Sequence, residues 1–218
     1  MENITFTLAD MHRHGSAFYD FLGLRKRFFV DKLGWHIPHD DVVEMDQYDN
    51  PKASYSLVLQ DGVVIGGARI MATTATWGTH TYMLRDAVKG KLIDIPPHVL
   101  GEDIAVEDMW ECTRLVMCDS VRTHAERSQC LKMIVDGLVD VSAAQGATRL
   151  MCLSTLSLMR ALRQLGYDAE RVGEPYVNDN DGRRYAVLAM SATSSTQTFV
   201  PQATHMPLQQ PLHAPATA

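Results

Sequence analysis

The segment 62–72 is apolar on both faces of an extended chain and carries Arg69 near its middle. A strand with two apolar faces belongs in the interior of a sheet that is covered on both sides. A buried arginine there needs carboxylate partners, in a structural ion pair or in a functional site. The alternation places Val63, Ile65 and Met71 on the face of Arg69, and Val64, Ala68 and Ile70 on the other.

Strand and helix patterns alternate along the rest of the chain. Alternating or continuous apolar runs predict strands at 3–8, 41–45, 54–60, 62–72, 110–117, 149–154 and 183–190. Apolar residues at helical spacing predict helices at 16–33, 124–145 and 155–165. The tripeptide Gln60-Asp61-Gly62 is typical of a hairpin turn. This order predicts an α/β (α+β) fold in which a mixed sheet has helices on both faces.

The composition changes at Ser191, after which no Asp, Glu, Lys or Arg occurs. Four of the nine prolines fall in this stretch, at positions 201, 207, 211 and 215. Such a segment buries too little apolar surface to offset its conformational entropy. We therefore expect a folded domain over residues 1–190 and a disordered tail over residues 191–218.

Several classes of protein are disfavoured by composition. The net charge of −6 argues against general binding of nucleic acid. No apolar run approaches the roughly 18–20 residues that span a membrane, and the N-terminus does not resemble a secretory signal. The four cysteines lack CxxC spacing, which favours reduced thiols in a cytoplasmic protein. The nine histidines lack metal-ligand spacing, so we expect no metal site.

Charged residues interrupt other apolar patterns besides that of Arg69. Arg25 lies on the helical stripe of Phe18 and Phe29, where it either reaches water from the edge of the stripe or enters a site. Asp46 and Asp49 lie in a short loop, for which ordinary turn chemistry is an alternative explanation.

Glu111 and Arg114 lie three residues apart in the strand 110–117. Odd spacing puts them on opposite faces of a regular strand, so they serve one site only if the strand bulges between them. Together with Arg25, Arg69, Asp46 and Asp49 they form a set of three positive and three negative charges. A neutral, mixed set suits a ligand that carries both signs better than a ligand rich in phosphate.

The run from Arg25 to Trp35, RKRFFVDKLGW, resembles the RxxxF(x5)W signature of the acyl-homoserine-lactone synthases, the LuxI-type autoinducer synthases. Further pieces follow in the order of that family: DQYD at 46–49, GGARI around Arg69, MLRD at 83–86, and WECTR around Glu111. The resemblance covers roughly residues 20–170.

The resemblance implies a GNAT-like fold, a mixed and splayed sheet between helices. It also implies transfer of an acyl group from a carrier thioester to the amine of S-adenosylmethionine, followed by lactone closure and release of 5′-methylthioadenosine. S-adenosylmethionine is then a substrate, and no cofactor is expected. The expected acyl donor is acyl carrier protein, with acyl-CoA as the alternative, in the bacterial cytoplasm. No nucleic acid, membrane or further protein partner is implied.

The resemblance assigns roles to individual residues. Arg25, Phe29 and Trp35, with Asp46 and Asp49, are expected to form the pocket for S-adenosylmethionine. Glu111 is the expected general base, acting through a water, and Arg69 and Arg114 are expected to orient Asp49 and Glu111.

Two further sets of residues are expected to receive the acyl donor. The acyl chain needs an apolar slot, for which ordinary core packing is the alternative, and the candidates are Met117, Met151, Cys152, Leu153 and Leu158. A threonine is common in the family near Cys152 in enzymes that prefer 3-oxo chains, so this residue disfavours such a substrate. Arg149, Arg160 and Arg163 are candidates for a basic docking patch, with a solvated helix face as the alternative.

Two other functions remain open at this point. The chain could be a GNAT-type N-acyltransferase for another amine, or a non-catalytic module that binds S-adenosylmethionine or acyl chains. The segment after strand 110–117 lacks the glycine-rich pyrophosphate loop of ordinary GNAT enzymes. This argues against a standard acetyl-CoA acetyltransferase.

Overall fold

A mixed sheet of eight strands organises the computed structural model, which describes residues 1–193. The strands are β1 (Glu2–Thr7), β2 (Ser54–Gln60), β3 (Val63–Ala72), β4 (Met109–Met117), β5 (Arg149–Thr155), β6 (Glu170–Arg171), β7 (Tyr176–Val177) and β8 (Arg184–Ser191). Their order in the sheet is β1-β2-β3-β4-β5-β8-β6, and β7 pairs with β8. β4 and β5 are parallel and the other pairs are antiparallel.

Helices cover both faces of the sheet. They are α1 (Ala17–Arg25), which continues as a π-helix over Lys26–Lys32, α2 (Met83–Val88), α3 (His124–Ala143) and α4 (Leu156–Gln164). Short 3₁₀ turns occupy Met11–His14 and Pro97–Val99. The core on one face contains Phe21 of α1 and Leu84 of α2, and the core on the other contains Ile134 of α3 and Leu162 of α4. The expected two-sided sheet is therefore confirmed.

One expected strand is absent. The segment 41–45 forms only an isolated bridge between His39 and Glu44. Its backbone packs on α1 instead of a sheet edge, because the N–H of Glu44 donates to the carbonyl of Leu22 at 3.2 Å. The Glu44 side chain turns inward and is 0% exposed. The other expected strands form, and α2, β6 and β7 occur where no element was expected.

A bulge in β3 changes which of its residues share a face. The register with β2 shifts between Val58 and Leu59, so Ile65 has no partner in β2. Beyond the shift, Val64 joins the core that contains Met71, and Ile65 joins the opposite core. The expectation that Ile65 lies on the face of Arg69 is therefore wrong, because strict alternation does not survive an inserted residue.

The sheet splays between its two parallel strands. β4 and β5 are paired only from Met109 with Arg149 to Cys112 with Cys152. Past that point β4 stays with β3, and β5 stays with β8. This divergence confirms the splayed sheet that the resemblance implied.

Two expectations concern the chain as a whole. The tail expected over residues 191–218 lies outside the described residues, apart from residues 191–193. Among the described helices, none combines the length and the apolar character that crossing a membrane requires.

Candidate active site

A cavity of about 460 Å³ reaches through the sheet at the splay between β4 and β5. On the α1 face its wall contains Phe29, Trp35 and Asp46. On the other face its wall is apolar and includes Leu138 of α3 and Leu158 of α4. One cavity thus joins a polar and aromatic pocket to an apolar chamber.

Arg25 lies at the end of α1, behind the wall of the pocket. Its Nε donates to Glu44 Oε2 at 2.6 Å, and its Nη1 and Nη2 donate to the two oxygens of Asp49 at 2.8 Å each. The side chain is fully buried. Because these donors are engaged by Glu44 and Asp49, Arg25 holds the loop that carries the two carboxylates against α1.

Arg69 extends from β3 into the same cluster. It forms a fork with Asp46, with Nη1 at 2.5 Å from Oδ1 and Nη2 at 3.1 Å from Oδ2. Nη1 also lies 2.9 Å from Asp49 Oδ1, and Nε donates to Thr113 Oγ1 at 3.0 Å. The carboxylate partners that a buried Arg69 required are therefore present.

Arg114 reaches the cluster because β4 bulges. The register between β3 and β4 shifts between Gly67 and Arg69, and Arg114 takes a φ of 56°, in the left-handed region. Its Nη2 donates to Asp46 Oδ2 at 2.8 Å and to Glu44 Oε1 at 3.2 Å. The bulge needed to bring Arg114 and Glu111 to one face is thus present.

These six side chains form what we call the cage: Arg25, Arg69, Arg114, Glu44, Asp46 and Asp49. It holds three positive and three negative charges. Although burial would raise the pKa of Asp46 and Asp49, the guanidinium of Arg69 holds both below their usual value. Removing any one partner would leave a buried charge unpaired, so the six side chains stabilise one another as a set.

Only part of the cage faces the cavity. Asp46 and Arg114 belong to its wall, whereas Arg25 and Asp49 lie behind them. From the sequence, Arg25 and Asp49 are expected in the pocket itself. The structure places them one layer deeper because their polar atoms are satisfied by each other, and Asp49 also accepts from Tyr55 at 3.0 Å.

Glu44 is the cage member that is not expected from the sequence. Its segment is expected to be a strand, and Glu111 completes the expected charge balance in its place. The available signal was the position of Glu44 between Val43 and Met45 beside a loop that already supplied two carboxylates.

Glu111 lies outside the cage, on the same face of β4. Its Oε2 accepts the N–H of Met83 and its Oε1 accepts the N–H of Leu84, each at 2.9 Å, at the start of α2. Burial raises the pKa of Glu111 to about 7, partly offset by these two N–H groups. Arg114 contacts Glu44 and Asp46 rather than Glu111, so the expectation that Arg114 orients Glu111 is wrong.

Glu111 is one layer from the cavity. It is 2% exposed, and the two methionines beside it, Met83 and its cross-strand neighbour Met151, belong to the cavity wall. A group in the cavity reaches this carboxylate only through a bridging water or a small shift of these side chains.

Aromatic rings form the outer wall of the pocket. Phe29 follows Arg25 by one turn, and its ring centroid lies 4.9 Å from that of Trp35. Trp35 in turn contacts Tyr185 of β8 at 5.9 Å, edge to face. Arg114 lies over the ring of Phe29, 5.5 Å from its centroid. The aromatic residues of the signature are thus brought to the cage.

The apolar candidates are divided by the structure. Met151, Cys152, Leu153 and Leu158 line the cavity. Met117 is outside its wall: it is the last residue of β4, pairs with Gly66 of β3, and packs against the core below α3.

The three basic candidates are all exposed. Arg149 begins β5, and Arg160 and Arg163 lie on α4. Arg163 is partly committed, since its Nε donates to the carbonyl of Ala169 at 2.6 Å.

A family model described as "Autoinducer synthase" matches residues 10–198. The chain belongs to the autoinducer synthase family. Members of this family are acyltransferases, so the chain is an enzyme of that class. The resemblance seen in the motifs is thereby confirmed.

Individual relatives agree with this assignment. The acyl-homoserine-lactone synthase of Acinetobacter nosocomialis is 30% identical over 167 residues, which cover 73% of this chain and 84% of the relative. The crystal structure of TofI with an inhibitor and MTA has a TM-score of 0.70 at 26% identity, covering 90% of this chain and 94% of TofI. BjaI, a CoA-dependent acyl-homoserine lactone synthase solved with SAM and isopentyl-CoA, shares the fold, with a TM-score of 0.69 at 18% identity and coverage of 87% and 82%. An acyl-CoA N-acyltransferase from Pseudomonas aeruginosa shares the fold more distantly, with a TM-score of 0.54 at 15% identity and coverage of 87% and 99%.

Proposed function

We propose that this autoinducer synthase transfers an acyl group from a carrier thioester to the α-amine of S-adenosylmethionine. The acylated product then closes to a homoserine lactone and releases 5′-methylthioadenosine. The observation that carries the proposal is the cavity through the splay, which joins a charged, aromatic pocket to an apolar chamber. Two substrates of such different chemistry meet where β4 and β5 separate.

The pocket on the α1 face suits S-adenosylmethionine. This molecule carries a sulfonium, an amine and a carboxylate. Phe29 and Trp35 offer ring faces to the adenine or the sulfonium. Asp46 presents a carboxylate whose position is fixed by Arg69 and Arg114. Arg25 and Asp49 support this arrangement from behind.

Acyl transfer requires an uncharged amine. Glu111 accepts the amine proton through a water, and a pKa of about 7 suits a general base near neutral pH. The nitrogen lone pair attacks the thioester carbonyl carbon, the C–S bond breaks, and the carrier leaves as a thiolate. Backbone N–H groups of β4 beyond Cys112, on the edge that β5 has left, polarise the carbonyl oxygen.

Lactone closure depends more on the position of the reacting groups than on acid or base catalysis. The carboxylate oxygen of the substrate attacks its own γ-carbon, and the bond from that carbon to the sulfonium sulfur breaks. Because the sulfonium is already a good leaving group, a fixed substrate conformation supplies the main acceleration. Asp46 and Arg114, the cage residues that line the cavity, hold that conformation.

The acyl donor enters from the apolar side. Met151, Cys152, Leu153 and Leu158 receive the acyl chain. Acyl carrier protein is acidic, and Arg149, Arg160 and Arg163 offer exposed positive charge beside this chamber. Acyl-CoA is the alternative donor. The four free cysteines fit a reducing compartment, the bacterial cytoplasm.

The test is incubation of the purified enzyme with S-adenosylmethionine and a panel of acyl carrier proteins and acyl-CoAs, with the products identified by mass spectrometry. We expect an acyl-homoserine lactone and 5′-methylthioadenosine in equal amounts. Thiol release without methylthioadenosine would show an N-acyltransferase for another amine. Binding of S-adenosylmethionine without any product would show a binding module.

A further inference from the structure

The turn between β7 and β8, residues 178–183, lies against the aromatic wall. It is closed by hydrogen bonds from the N–H of Asn178 to the carbonyl of Arg183 at 2.9 Å and from the N–H of Gly182 to the carbonyl of Asn178 at 2.8 Å. Asn178 and Asn180 of this turn belong to the cavity wall. The turn is therefore a defined part of the pocket, although no motif of the signature falls in it.

Asp181 of this turn accepts three hydrogen bonds. Its Oδ2 accepts Trp35 Nε1–H at 3.0 Å and the hydroxyl of Tyr185 at 2.7 Å, and its Oδ1 accepts the N–H of Arg183 at 2.9 Å. Although burial acts in the opposite direction, these donors hold the pKa of Asp181 below its usual value. The group is therefore a carboxylate at neutral pH.

Trp35 needs such an anchor. It follows Gly34, whose φ is 70°, and lies beyond the end of the π-helix, in a stretch without regular structure. Its indole is only half-buried, and its polar atom has Asp181 as partner. The tilted contact with Phe29 and the edge-to-face contact with Tyr185 do not engage the indole N–H, whereas the hydrogen bond to Asp181 fixes the direction of that N–H.

We propose that Asp181 is a positioning residue for S-adenosylmethionine, acting by holding Trp35 in place as the outer wall of the pocket. This inference rests on the proposed function for the identity of the ligand. Asp181 joins two parts of the chain that are 146 residues apart, so it closes the pocket between the signature helix and the last strands.

The test compares Asp181→Ala and Asp181→Asn with the wild type, at saturating acyl donor. We expect Asp181→Ala to raise the KM for S-adenosylmethionine roughly 10-fold with less than about 2-fold change in kcat. The reason is that Trp35, without its hydrogen bond to Asp181, binds the ground state and the transition state less well to the same extent. Asp181→Asn keeps an acceptor oxygen and should recover most of this loss. Asp179→Ala, an exposed neighbour in the same turn, is the matched control and should behave as wild type.

A double-mutant cycle separates positioning from general damage. Trp35→Phe keeps a ring but removes the N–H donor, so adding Asp181→Ala to it should raise KM by less than about 2-fold further. The inference would be overturned if the KM effects of Trp35→Phe and Asp181→Ala multiply in the double variant. An unchanged KM in Asp181→Ala, or a loss confined to its kcat, would overturn it as well.

The fluorescence of Trp35 tests the same contact without turnover. The variants are made in a Trp77→Phe background, which leaves Trp35 and the buried Trp110 as the tryptophans. In this background Asp181→Ala should increase the quenching of tryptophan fluorescence by acrylamide, while Asp179→Ala should not. Equal quenching in the two variants would overturn the inference. If the wild type releases no methylthioadenosine, the proposed function fails, and this measurement still decides whether Asp181 holds Trp35.

Discussion

At the scale of single residues, Glu111 differs from the carboxylates of the cage because no arginine in the described part of the chain donates a hydrogen bond to it. Arg69 is near enough to lower the pKa of Glu111, yet this carboxylate is held by two backbone N–H groups at the start of α2. A guanidinium partner would have kept it ionised at low pH. Burial without such a partner instead raises its pKa to about 7, where it takes up and gives back a proton near neutral pH.

Activity should therefore rise with pH through about 7, because the base must be ionised to accept the amine proton. Glu111→Gln should lower kcat by roughly 10²–10⁴-fold and abolish this limb of the pH–rate profile. Glu107→Gln, an exposed change of the same kind four residues earlier, is the control. The profile is measured as kcat/KM for S-adenosylmethionine between about pH 5 and 9. A Glu111→Gln enzyme with the wild-type profile would remove Glu111 from the mechanism.

The cage shows how far residue-level reasoning reaches in sequence. Arginines placed in apolar patterns require carboxylates, and the mixed set of charges expected from the sequence included Asp46 and Asp49, both of which contact Arg69. Glu111 is expected as the third carboxylate in place of Glu44, since charge balance is satisfied by either. The choice depends on the path of the loop 41–45 over α1, which is a matter of tertiary packing.

At the scale of elements, the departures from regular geometry bring the site together. The π-helical turns after Arg25 and the bulge at Arg114 each add a residue to an otherwise regular element. Sequence periodicity predicted both elements and their approximate ends. It could not predict the inserted residues, because the same apolar side chains fit an α-helix or a π-helix, and a bulge follows from strand partners that are distant in sequence.

Close packing of α3 on the sheet depends on Gly137. A Cβ at this position would contact Ser56 Oγ and, at 2.6 Å, Asn3 Oδ1. These two side chains are themselves tied together, since Asn3 Nδ2 donates to Ser56 Oγ at 3.0 Å and Ser56 donates to the carbonyl of Ile134 at 2.9 Å. Because Gly137 has no side chain, α3 can lie close to β1 and β2 at the point where Asn3 and Ser56 are hydrogen-bonded to each other.

Gly137→Ala should destabilise the protein, although alanine favours a helix by about 1 kcal/mol. Overpacking costs about 1–3 kcal/mol, so the free energy of unfolding should fall by up to about 2 kcal/mol. Urea denaturation measures this change. Asp140→Ala, on the exposed side of the same helix, is the control and should lie within about 0.5 kcal/mol of wild type. A gain in stability for Gly137→Ala would show that α3 moves away from the sheet without cost.

At the scale of the whole molecule, the cavity arises from the divergence of β4 and β5, not from any one segment. The sequence predicted a mixed sheet, and the family resemblance supplied its splay. Neither showed that the gap connects the two cores, because this depends on side chains from the π-helix after α1, from α3, from α4 and from β8 that meet only in the folded chain.

Net charge poses a problem for docking of an acidic carrier, because the enzyme itself carries −6. Productive encounter then depends on a local basic surface near the apolar chamber. Arg160 is the best candidate, since it is exposed on α4, the helix that contributes Leu158 and Leu162 to the chamber. Arg163 is partly committed to the carbonyl of Ala169.

Arg160→Glu should raise the KM for acyl carrier protein roughly 5-fold and leave the KM for S-adenosylmethionine unchanged, and salt should diminish the difference from wild type. Arg13→Glu makes the same change of charge next to β1, at the opposite edge of the sheet, and should have no such effect. Initial rates at several carrier concentrations, at about 0.05 and 0.5 M salt, measure both variants. Equal KM values for the two variants would place carrier docking away from α4. The proposed reaction would be unaffected, since the geometry of the splay does not depend on where the carrier binds.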